Sequence, residues 1–345
     1  MKVCFLAQQS VGMVAGGPLV QLRETARYLP GSGVEVGFFD QWNDFPREEY
    51  DLVHIFGANF MSYDIAMRLR QFGIPYVVSS IFYTMHSPSY IRFTSRIADL
   101  AGKFFRGVRT DYGFTGEVCR SARMVLPNTH AEADIVEKGF GVPGSQIQVV
   151  PNGVHERFAD ADPGLFTEEY GVKGFVLNVG HIGSKRKNVL NLIRAMKEVD
   201  APLVLIGKIQ DGPYARQCVE EARRNPRITI IDGLSNNSPL LASAYAACKV
   251  FALPSFFETP GIAALEAALA GAAIVITPHG GTRDYFGDEA HYVDPRSPSS
   301  IARGIKKGLV QPAQDGLQER IAREFIWQRV AEKTAAVYRT AVSGL

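Results

Sequence analysis

Short apolar runs alternate with helix-patterned segments along both halves of the chain, and this alternation restricts the fold more than any other feature. Several runs are apolar almost throughout, as is typical of parallel strands that helices cover on both faces. The alternation predicts an α/β protein with two doubly wound, Rossmann-like domains. The predicted strands are 3–7, 34–39, 52–56, 76–79, 124–126 and 147–150, then 175–179, 203–206, 228–231, 250–253, 273–276 and 292–293.

The length of the chain, 345 residues, also favours two domains, since a single core rarely serves more than about 250–300 residues. We predict an N-terminal domain over 1–160 and a C-terminal domain over 161–321, with a polar linker at 151–170. One final helix is predicted over 317–342, and the segment from about 322 to 345 is expected to rejoin the first domain. Open α/β sheets bind ligands at the carboxyl ends of their strands, so we expect the two domains to face each other across a ligand-binding cleft.

Composition and charge exclude several classes of protein. A formal net charge of +2 does not indicate a nucleic-acid partner. No apolar run reaches the roughly 18 residues that a membrane span needs, and the N-terminal run is too short for a signal peptide. The cysteines lack metal-binding spacing, which favours buried free thiols in a reducing compartment and hence a cytoplasmic protein. They are Cys4, Cys119, Cys218 and Cys248.

Two glutamates flank a predicted helix start in LPSFFETPGIAALE, which begins at the end of the strand predicted at 250–253. Glu258 is expected in the loop, and Glu266 about two turns into a helix that Pro260 and Gly261 begin, because proline suits the first helical turn. A helix N-terminus offers free N–H groups and a partial positive charge to a phosphate or sugar oxygen. The pair predicts a phosphorylated, hydroxyl-rich ligand. The alternative is a solvent-facing Glu258 and a Glu266 that only complements the helix dipole.

A basic loop follows the first predicted strand of the second domain, in VGHIGSKRKN. Lys185, Arg186 and Lys187 stand just before a helix that is predicted to start near Asn188. Three cations at this position oppose the helix dipole and cost stability unless an anion lies beside them. The loop therefore predicts a phosphate site, with a solvated basic loop as an equal alternative.

Three further loops stand at predicted strand ends. Gly16 and Gly17 let the backbone approach a ligand closely, but they do not form a dinucleotide-binding fingerprint. Gly280 and Gly281 allow the same close approach, and each pair is also compatible with a plain turn. The polar loop in 230–245 is expected to lie against a base or a ribose.

These motifs have the order and spacing of a known family. The segments GGPLVQLRETARYL, YDLVHIFG, VVPNGVHERF, VGHIGSKRKN, ETPGIAALEA and ITPHGGTRD resemble a retaining glycosyltransferase of family four, which has the GT-B architecture. The resemblance runs from about residue 2 to residue 294, and its most specific motif is the pair Glu258 and Glu266. It implies transfer of a sugar from a UDP-, GDP- or ADP-linked donor to a glycan or lipid-linked acceptor, with retention of the anomeric configuration.

The resemblance also implies roles for individual residues. It makes Glu258, Lys187 and Arg186 the catalytic residues: Glu258 positions the donor sugar, and the two cations neutralise the diphosphate. Glu266 is implied to bind the ribose. No metal and no cofactor is implied, and the departing phosphate oxygen is expected to deprotonate the acceptor. The implied donor-binding residues are Gly16, Gly17, Gly180, His181, Gly233, Leu234, Thr259, Pro260, Gly261, Ile262 and Glu266.

The chain departs from the family pattern at several positions. His181 replaces an arginine that often follows the first strand of the second domain, so Arg186 is expected to take over its role. Ile81 stands where a histidine near the sugar is common. His86 is the candidate acceptor residue that could compensate, and a surface histidine is the alternative. Thr259 follows Glu258 where a glycine is commoner, which indicates an unusual sugar preference.

The segment from about 91 to 110 combines apolar and basic residues near helical spacing. It predicts peripheral contact with an anionic membrane at its inner face, or else an ordinary helix with a buried apolar face. Rival functions on the same architecture are a sugar-nucleotide epimerase and a non-catalytic sugar-nucleotide-binding protein. The sequence does not favour a nicotinamide oxidoreductase, which would need the dinucleotide fingerprint after the first strand. It does not favour a solute-binding protein either, which would normally carry an export signal.

Overall fold

The computed structural model describes residues 1–13, 16–104, 110–311 and 315–343. The chain divides into unit 1, which comprises Met1–Gly153 and Trp327–Leu345, and unit 2, which comprises Val154–Ile326. Each unit contains a parallel sheet, of five strands in unit 1 and six in unit 2. The predicted α/β class with two doubly wound domains is confirmed.

Unit 1 has the strand order β2-β1-β3-β4-β5, so the order reverses between β1 and β3. Its strands are β1 (Lys2–Ala7), β2 (Glu35–Phe38), β3 (Leu52–Phe56), β4 (Tyr76–Ser79) and β5 (Met124–Val125). Its helices are α1 (Gly17–Tyr28), α2 (Phe60–Gln71), α3 (Pro88–Phe104), α4 (Asp111–Ser121), α5 (His130–Asp134) and the C-terminal α14 (Trp327–Ser343). The central strand β3, LVHIF, is buried along its whole length because helices cover both faces of the sheet.

Helix α14 contributes to the core of unit 1. The Tyr338 hydroxyl lies 2.5 Å from Nδ1 of His54, in the middle of β3. Burial lowers the pKa of His54 to about 3, so its imidazole is neutral in the core. At the other end of the helix Trp327 packs so closely on Gly153 that an added Cβ would lie 2.5 Å from the indole. The C-terminal segment is therefore an integral part of the first unit.

Unit 2 has the strand order β11-β10-β9-β6-β7-β8, and here the order reverses between β9 and β6. Its strands are β6 (Val176–Val179), β7 (Leu203–Ile206), β8 (Ile228–Ile231), β9 (Val250–Leu253), β10 (Ala273–Ile276) and β11 (His291–Tyr292). Its helices are α6 (Gly164–Tyr170), α7 (Val189–Ala195), α8 (Pro213–Arg223), α9 (Pro239–Ala247), α10 (Ile262–Leu269), α11 (Thr282–Phe286), α12 (Pro298–Val310) and α13 (Asp315–Glu324). Hydrophobic clusters fill both faces of this sheet as well.

The strand predicted at 147–150 is wrong. Ile147 forms an isolated bridge with Val125, and the residues after it are not a strand. The N–H of Val150 donates to the carbonyl of Pro127 at 2.9 Å. Because Pro127 has no N–H to return a hydrogen bond, a regular ladder cannot continue along this edge.

The linker predicted at 151–170 is also wrong, since most of it folds into unit 2. Phe158 and Phe166 are buried in the core of that unit, and the ring of Phe158 meets Tyr245 edge to face at 5.5 Å. The division between the units therefore lies at 153/154, earlier than the predicted 160/161.

The single helix predicted over 317–342 is two helices, α13 and α14, separated at Phe325 and Ile326. Ile326 pairs with Val154 in a bridge, and the carbonyl of Phe325 accepts a hydrogen bond from the N–H of Val154 at 2.8 Å. These contacts hold the chain extended at the junction and keep residues up to 326 in unit 2, beyond the predicted boundary at 321. Within the described ranges, no helix is long and apolar enough to cross a membrane, and the four cysteines are buried free thiols.

Candidate active site

The basic loop after β6 is fastened to the loop after β9. Lys185–Lys187 form a 3₁₀ turn, and Asn188 then adopts a left-handed conformation with φ 56° immediately before α7. The buried Asn188 amide donates to the carbonyls of Pro254 at 2.9 Å and Pro295 at 2.6 Å. The N–H of Phe256 donates to the carbonyl of Arg186 at 2.9 Å. The strands β6 and β9 flank the point where the strand order reverses, which is where open α/β sheets bind ligands.

The buried Glu258 carboxylate lies between two cations of this loop. Its Oε1 is 2.7 Å from the ammonium of Lys187 and 3.1 Å from the guanidinium of Arg186. Burial alone would raise the pKa of Glu258, but the charges of Lys187 and Arg186 outweigh it and hold that pKa below its ordinary value. Only 4% of Glu258 is exposed, so the alternative of a solvent-facing glutamate is wrong. The Arg186 guanidinium, which also donates to the carbonyl of Phe257 at 3.0 Å, remains partly open to solvent.

Gly280 allows the backbone of Glu258 to be held on both sides. The N–H of Glu258 donates to the carbonyl of His279 at 3.1 Å, and the N–H of Gly281 donates to the carbonyl of Glu258 at 3.0 Å. Gly280 has φ 93°, and an added Cβ would lie 2.0 Å from the Glu258 carbonyl oxygen. The close approach predicted at Gly280 and Gly281 is therefore an approach to Glu258.

The second glutamate, Glu266, is held by a tyrosine. It is 5% exposed, and its Oε2 accepts a hydrogen bond from the hydroxyl of Tyr245 at 2.7 Å. Burial raises the pKa of Glu266 to about 7, opposed in part by Tyr245, by the charge of Arg157 and by Asn236. Arg157 in turn donates to the carbonyl of Asn236, so the polar loop after β8 reaches Glu266.

The predicted helix start at Pro260 is wrong by two residues. Gly261 has φ 86°, outside helical geometry. Helix α10 therefore begins at Ile262, with Gly261 as its N-cap, and Glu266 stands little more than one turn into it.

The remaining predicted donor residues of unit 2 lie in the loops after β6 and β8. Gly180 has φ 155°, and an added Cβ would lie 3.8 Å from the side chain of Lys187. Its neighbour His181 is half-buried. Gly233 has φ 81° and lies beside the side chain of Lys208, whereas Leu234 packs against the core of unit 2. The structure thus brings Gly180 to the Lys187–Glu258 pair and places Gly233 and Leu234 on the loop that reaches Glu266.

The predicted residues of unit 1 stand at two loops of its sheet. Gly16 is the N-cap of α1 and Gly17 its first residue, after β1, whose carboxyl end lies where the strand order of unit 1 reverses. His86 is exposed, with Nδ1 2.7 Å from the hydroxyl of Tyr112 and its ring 4.5 Å from that of Tyr90. These contacts agree with the surface-histidine alternative.

Sequence reasoning missed the roles of Asn188 and Tyr245. An asparagine directly after a basic run and before an apolar helix is a signal for Asn188, because asparagine tolerates left-handed backbone better than other non-glycine residues. Tyr245 lies within α9, and no feature of the sequence around it indicated a contact with Glu266. In the described part of the chain, no three His, Cys, Asp or Glu side chains are grouped so that they could hold a metal ion.

Comparison with known proteins identifies the family. The profile described as "Glycosyl transferases group 1" matches residues 167–324, and the one described as "Glycosyltransferase Family 4" matches residues 39–158. The chain is a GT-B glycosyltransferase of the family-four type. The resemblance to a GT-B glycosyltransferase of family four is therefore confirmed, and retention of the anomeric configuration stays a prediction.

Relatives of this glycosyltransferase carry out different transfers. It is 27% identical over 317 residues to the MMP alpha-(1->4)-mannosyltransferase of Mycolicibacterium hassiacum, covering 86% of this chain and 72% of that protein. It is also 27% identical, over 321 residues, to the D-inositol 3-phosphate glycosyltransferase of Paenarthrobacter aurescens, covering 86% of this chain and 74% of that protein. At this level of identity the names of the relatives do not fix the substrates of this glycosyltransferase.

Solved structures share its fold. The sucrose-phosphate synthase of Thermosynechococcus elongatus superposes with a TM-score of 0.78 at 18% identity, covering 100% of both chains. The Anabaena protein HepE, solved in complex with UDP and glucose, superposes with a TM-score of 0.65 at 17% identity, covering 100% of this chain and 98% of that one. These structural similarities establish the fold. The substrates have to be inferred from the chemistry of the site.

Proposed function

We propose that this glycosyltransferase moves a sugar from a nucleoside-diphosphate donor to a hydroxyl acceptor with retention of the anomeric configuration. The observation that carries the proposal is the buried Glu258 carboxylate with the ammonium of Lys187 at 2.7 Å and the guanidinium of Arg186 at 3.1 Å. These groups come from loops on both sides of the strand reversal in unit 2, and α10 begins four residues after Glu258. Cations and helix-end N–H groups are what a leaving diphosphate requires.

In the proposed reaction the bond between the anomeric carbon and the diphosphate oxygen breaks, and negative charge develops on the leaving group. Lys187 and Arg186 stabilise that charge, with Gly180 beside them and the N–H groups of Gly261 and Ile262 at the start of α10. The acceptor oxygen then bonds to the anomeric carbon on the face that the diphosphate left. The acceptor proton passes to the departing phosphate oxygen, which balances the step without a protein nucleophile.

Glu258 and Glu266 have separate roles in this proposal. Glu258 positions the sugar through its hydroxyl groups, held in place by its backbone hydrogen bonds to the loop at Gly280. Glu266 accepts hydrogen bonds from the ribose hydroxyls, and Tyr245 fixes the orientation of its carboxylate. We assign His181, Gly233, Leu234, Thr259 and Pro260 to the donor site of unit 2, and the glycine pair Gly16 and Gly17 to a ligand-binding loop of unit 1. We assign charge neutralisation to the two cations rather than to a metal or a cofactor.

The donor is a UDP-, GDP- or ADP-sugar, and the acceptor a glycan or a lipid-linked precursor. Thermal unfolding with each class of nucleotide sugar selects the donor, since a ligand at 100 times its dissociation constant adds about 2.7 kcal/mol of stability. Transfer is then followed as nucleoside diphosphate release in the presence of acceptor sugars, with the anomeric configuration of the product read by NMR. An inverted product would refute retention, and conversion of the donor without diphosphate release would indicate an epimerase.

The cation assignment is tested by Lys187→Met with Lys185→Met as the matched control. Lys185 is exposed in the same turn. We expect Lys187→Met to lower the rate of donor cleavage about 10²–10³-fold, as removal of one preorganised donor does, and Lys185→Met to leave it unchanged. Equal rates in the two variants would refute the assignment.

We also propose that unit 1 contacts an anionic membrane through α3, which places the enzyme at the inner, cytoplasmic face of that membrane. Tyr90, Phe93 and Ile97 expose 48%, 64% and 50% of their surface along this helix, and Arg92 and Arg96 are exposed beside them. An exposed apolar stripe flanked by cations suits the boundary of an anionic bilayer. Residues 105–109 of the predicted segment lie outside the described residues.

Sedimentation with vesicles tests this contact. We expect binding to vesicles that contain phosphatidylglycerol, less binding for Phe93→Ser, and unchanged binding for Phe72→Ser, which alters an exposed aromatic residue at the end of α2. Absence of binding by the unmodified protein would refute the membrane contact and leave the transfer proposal intact.

A further inference from the structure

Ile81 has an unusual backbone conformation at the carboxyl end of β4. Its φ is 46°, in the left-handed region that β-branched residues rarely occupy. Such a conformation persists only where the surrounding structure holds it, and it concentrates at functional sites. The carboxyl ends of parallel strands are also where α/β sheets bind their ligands.

A buried carboxylate holds the residues on both sides of Ile81. Oε1 of Glu132 accepts a hydrogen bond from the hydroxyl of Ser80 at 2.6 Å and another from the N–H of Phe82 at 2.8 Å. Glu132 is fully buried at the start of α5. A single oxygen thus holds the residues on both sides of Ile81, one through its hydroxyl and the other through its backbone N–H.

The other oxygen of Glu132 connects this loop to two more. Oε2 accepts a hydrogen bond from the N–H of Asn128 at 2.9 Å, just after β5. The buried side chains of Asn128 and Gln21 form two hydrogen bonds, of 3.0 Å and 3.3 Å, and Gln21 belongs to α1. The carboxylate therefore ties together the ends of β4 and β5 and the first turns of the helix that follows β1.

The three partners of Glu132 are placed to donate to its carboxyl oxygens. Burial raises the pKa of Glu132, while the hydrogen bonds from Ser80, Phe82 and Asn128 oppose that effect. All three partners donate, so an amide at this position would turn its NH₂ group toward at least one N–H or O–H donor. Burying a carboxylate is costly unless hydrogen-bond donors surround it. Two of the three donors to Glu132, Ser80 and Phe82, belong to the loop that carries Ile81.

We infer that Glu132 is a positioning residue for sugar transfer, which holds Ile81 and the loop after β4 in the shape with which unit 1 receives the acceptor. The inference rests on the proposed function. Glu132 itself is fully buried and touches no substrate in this role. Its effect passes through the backbone of Ser80 to Phe82.

Three variants test the inference. Glu132→Gln keeps the volume of the side chain but misplaces a donor, and Ile81→Gly in the same background supplies a residue that adopts positive φ without restraint. Glu137→Gln, which alters an exposed glutamate close by, is the matched control. The readouts are the rate of diphosphate release from the nucleotide sugar selected by thermal unfolding, and the Kd of the corresponding nucleoside diphosphate.

We expect Glu132→Gln to lower the rate about tenfold to hundredfold, the range that a small misplacement of reacting groups produces. The Kd should stay unchanged, because the diphosphate site is in unit 2. Adding Ile81→Gly should restore most of the rate, which a general loss of stability would not allow. If Glu132→Gln does not fold, Ser80→Ala removes one restraint, keeps the carboxylate and should show the same pattern.

An unchanged rate in a folded Glu132→Gln variant, or no recovery with Ile81→Gly, would overturn the inference. A protein that cleaves no nucleotide sugar would refute the proposed function instead. In that case hydrogen exchange at the Phe82 amide tests, independently of activity, whether Glu132 restrains the loop. Faster exchange in Glu132→Gln supports the restraint, and unaltered exchange overturns it.

Discussion

The buried carboxyl group of Glu266 is expected to make donor binding depend on pH near neutrality. Burial raises the pKa of Glu266 from 4.5 to about 7, and the hydrogen bond from Tyr245 opposes this only in part. An ionised carboxylate accepts hydrogen bonds at both oxygens, whereas the protonated form must also donate one. Ribose hydroxyls that donate to Glu266 therefore favour its ionised form.

The same shift affects the stability of the protein without ligand. Between pH 4.5 and about 7 the folded protein holds a proton on Glu266 that the unfolded chain has released. The folded state binds more protons in this window, so the contribution of Glu266 to the free energy of unfolding falls as the pH rises through it. A shift of this size corresponds to about 3 kcal/mol between pH 4 and pH 8. Urea denaturation of Glu266→Gln should lack this component.

The effect on donor affinity follows from the ionised fraction. With a pKa of about 7, Glu266 is roughly nine-tenths ionised at pH 8 and about one-tenth ionised at pH 6, so Kd should be about tenfold higher at pH 6. Isothermal titration with an intact nucleotide sugar measures this without interference, because a diphosphate diester has no ionisation near neutrality. In buffers of different ionisation enthalpy at pH 7, binding should release about half a proton.

Two variants decide whether Glu266 is responsible. Glu266→Gln should bind the nucleotide sugar with the same Kd at pH 6 and pH 8, whereas Glu169→Gln, which alters an exposed residue of α6, should keep the pH dependence. A Kd that is constant with pH in the unmodified protein would refute the titration of Glu266 in this range. A tenfold change that survives in Glu266→Gln would assign the titration to another group.

The remaining predictions concern residues that hold the site and the C-terminal helix. Gly280→Ala should lower the free energy of unfolding by about 1–3 kcal/mol, measured in urea, because its Cβ would lie 2.0 Å from the Glu258 carbonyl oxygen. Asn188→Ala should cost about 2–4 kcal/mol, since two carbonyls lose a buried donor and alanine is strained at φ 56°; Asn188→Gly should cost less by the same assay. Tyr338→Phe should cost about 1–2 kcal/mol by removing the partner of His54, with donor affinity unchanged in titration. A smaller loss in Asn188→Ala than in Asn188→Gly would contradict the backbone argument.

Much of the fold could be predicted because its strands are local signals. The runs at 203–206, 228–231, 250–253 and 273–276 are strands with the predicted bounds. Burial on both faces makes the runs at 203–206, 250–253 and 273–276 uniformly apolar, so the sequence marks their ends sharply. The strand predicted at 147–150 was wrong because its pairing depends on Pro127, a residue distant in the sequence that has no N–H to donate.

The site was predictable in its residue types and not in its contacts. Glu258, Glu266 and the basic run stand in strand-end loops, and the α/β pattern brings such loops to one edge of a sheet. Which atoms meet there depends on backbone conformations that spacing does not reveal. The fixing of Glu258 by Gly280 and the orientation of Glu266 by Tyr245 both depend on contacts between segments distant in the sequence.

The charge balance at the start of α7 links the basic loop to the proposed chemistry. Three cations before a helix indicated that an anion lies beside them, and in the protein alone that anion is Glu258. In the proposed function, a donor diphosphate that binds to Lys187 and Arg186 competes with Glu258 for these cations and weakens their ion pairs with the carboxylate. Glu258 then becomes available to the hydroxyls of the sugar attached to that diphosphate. On this proposal, binding of the phosphate and positioning of the sugar are a single exchange of ionic partners, and two neighbouring loops are enough for both functions.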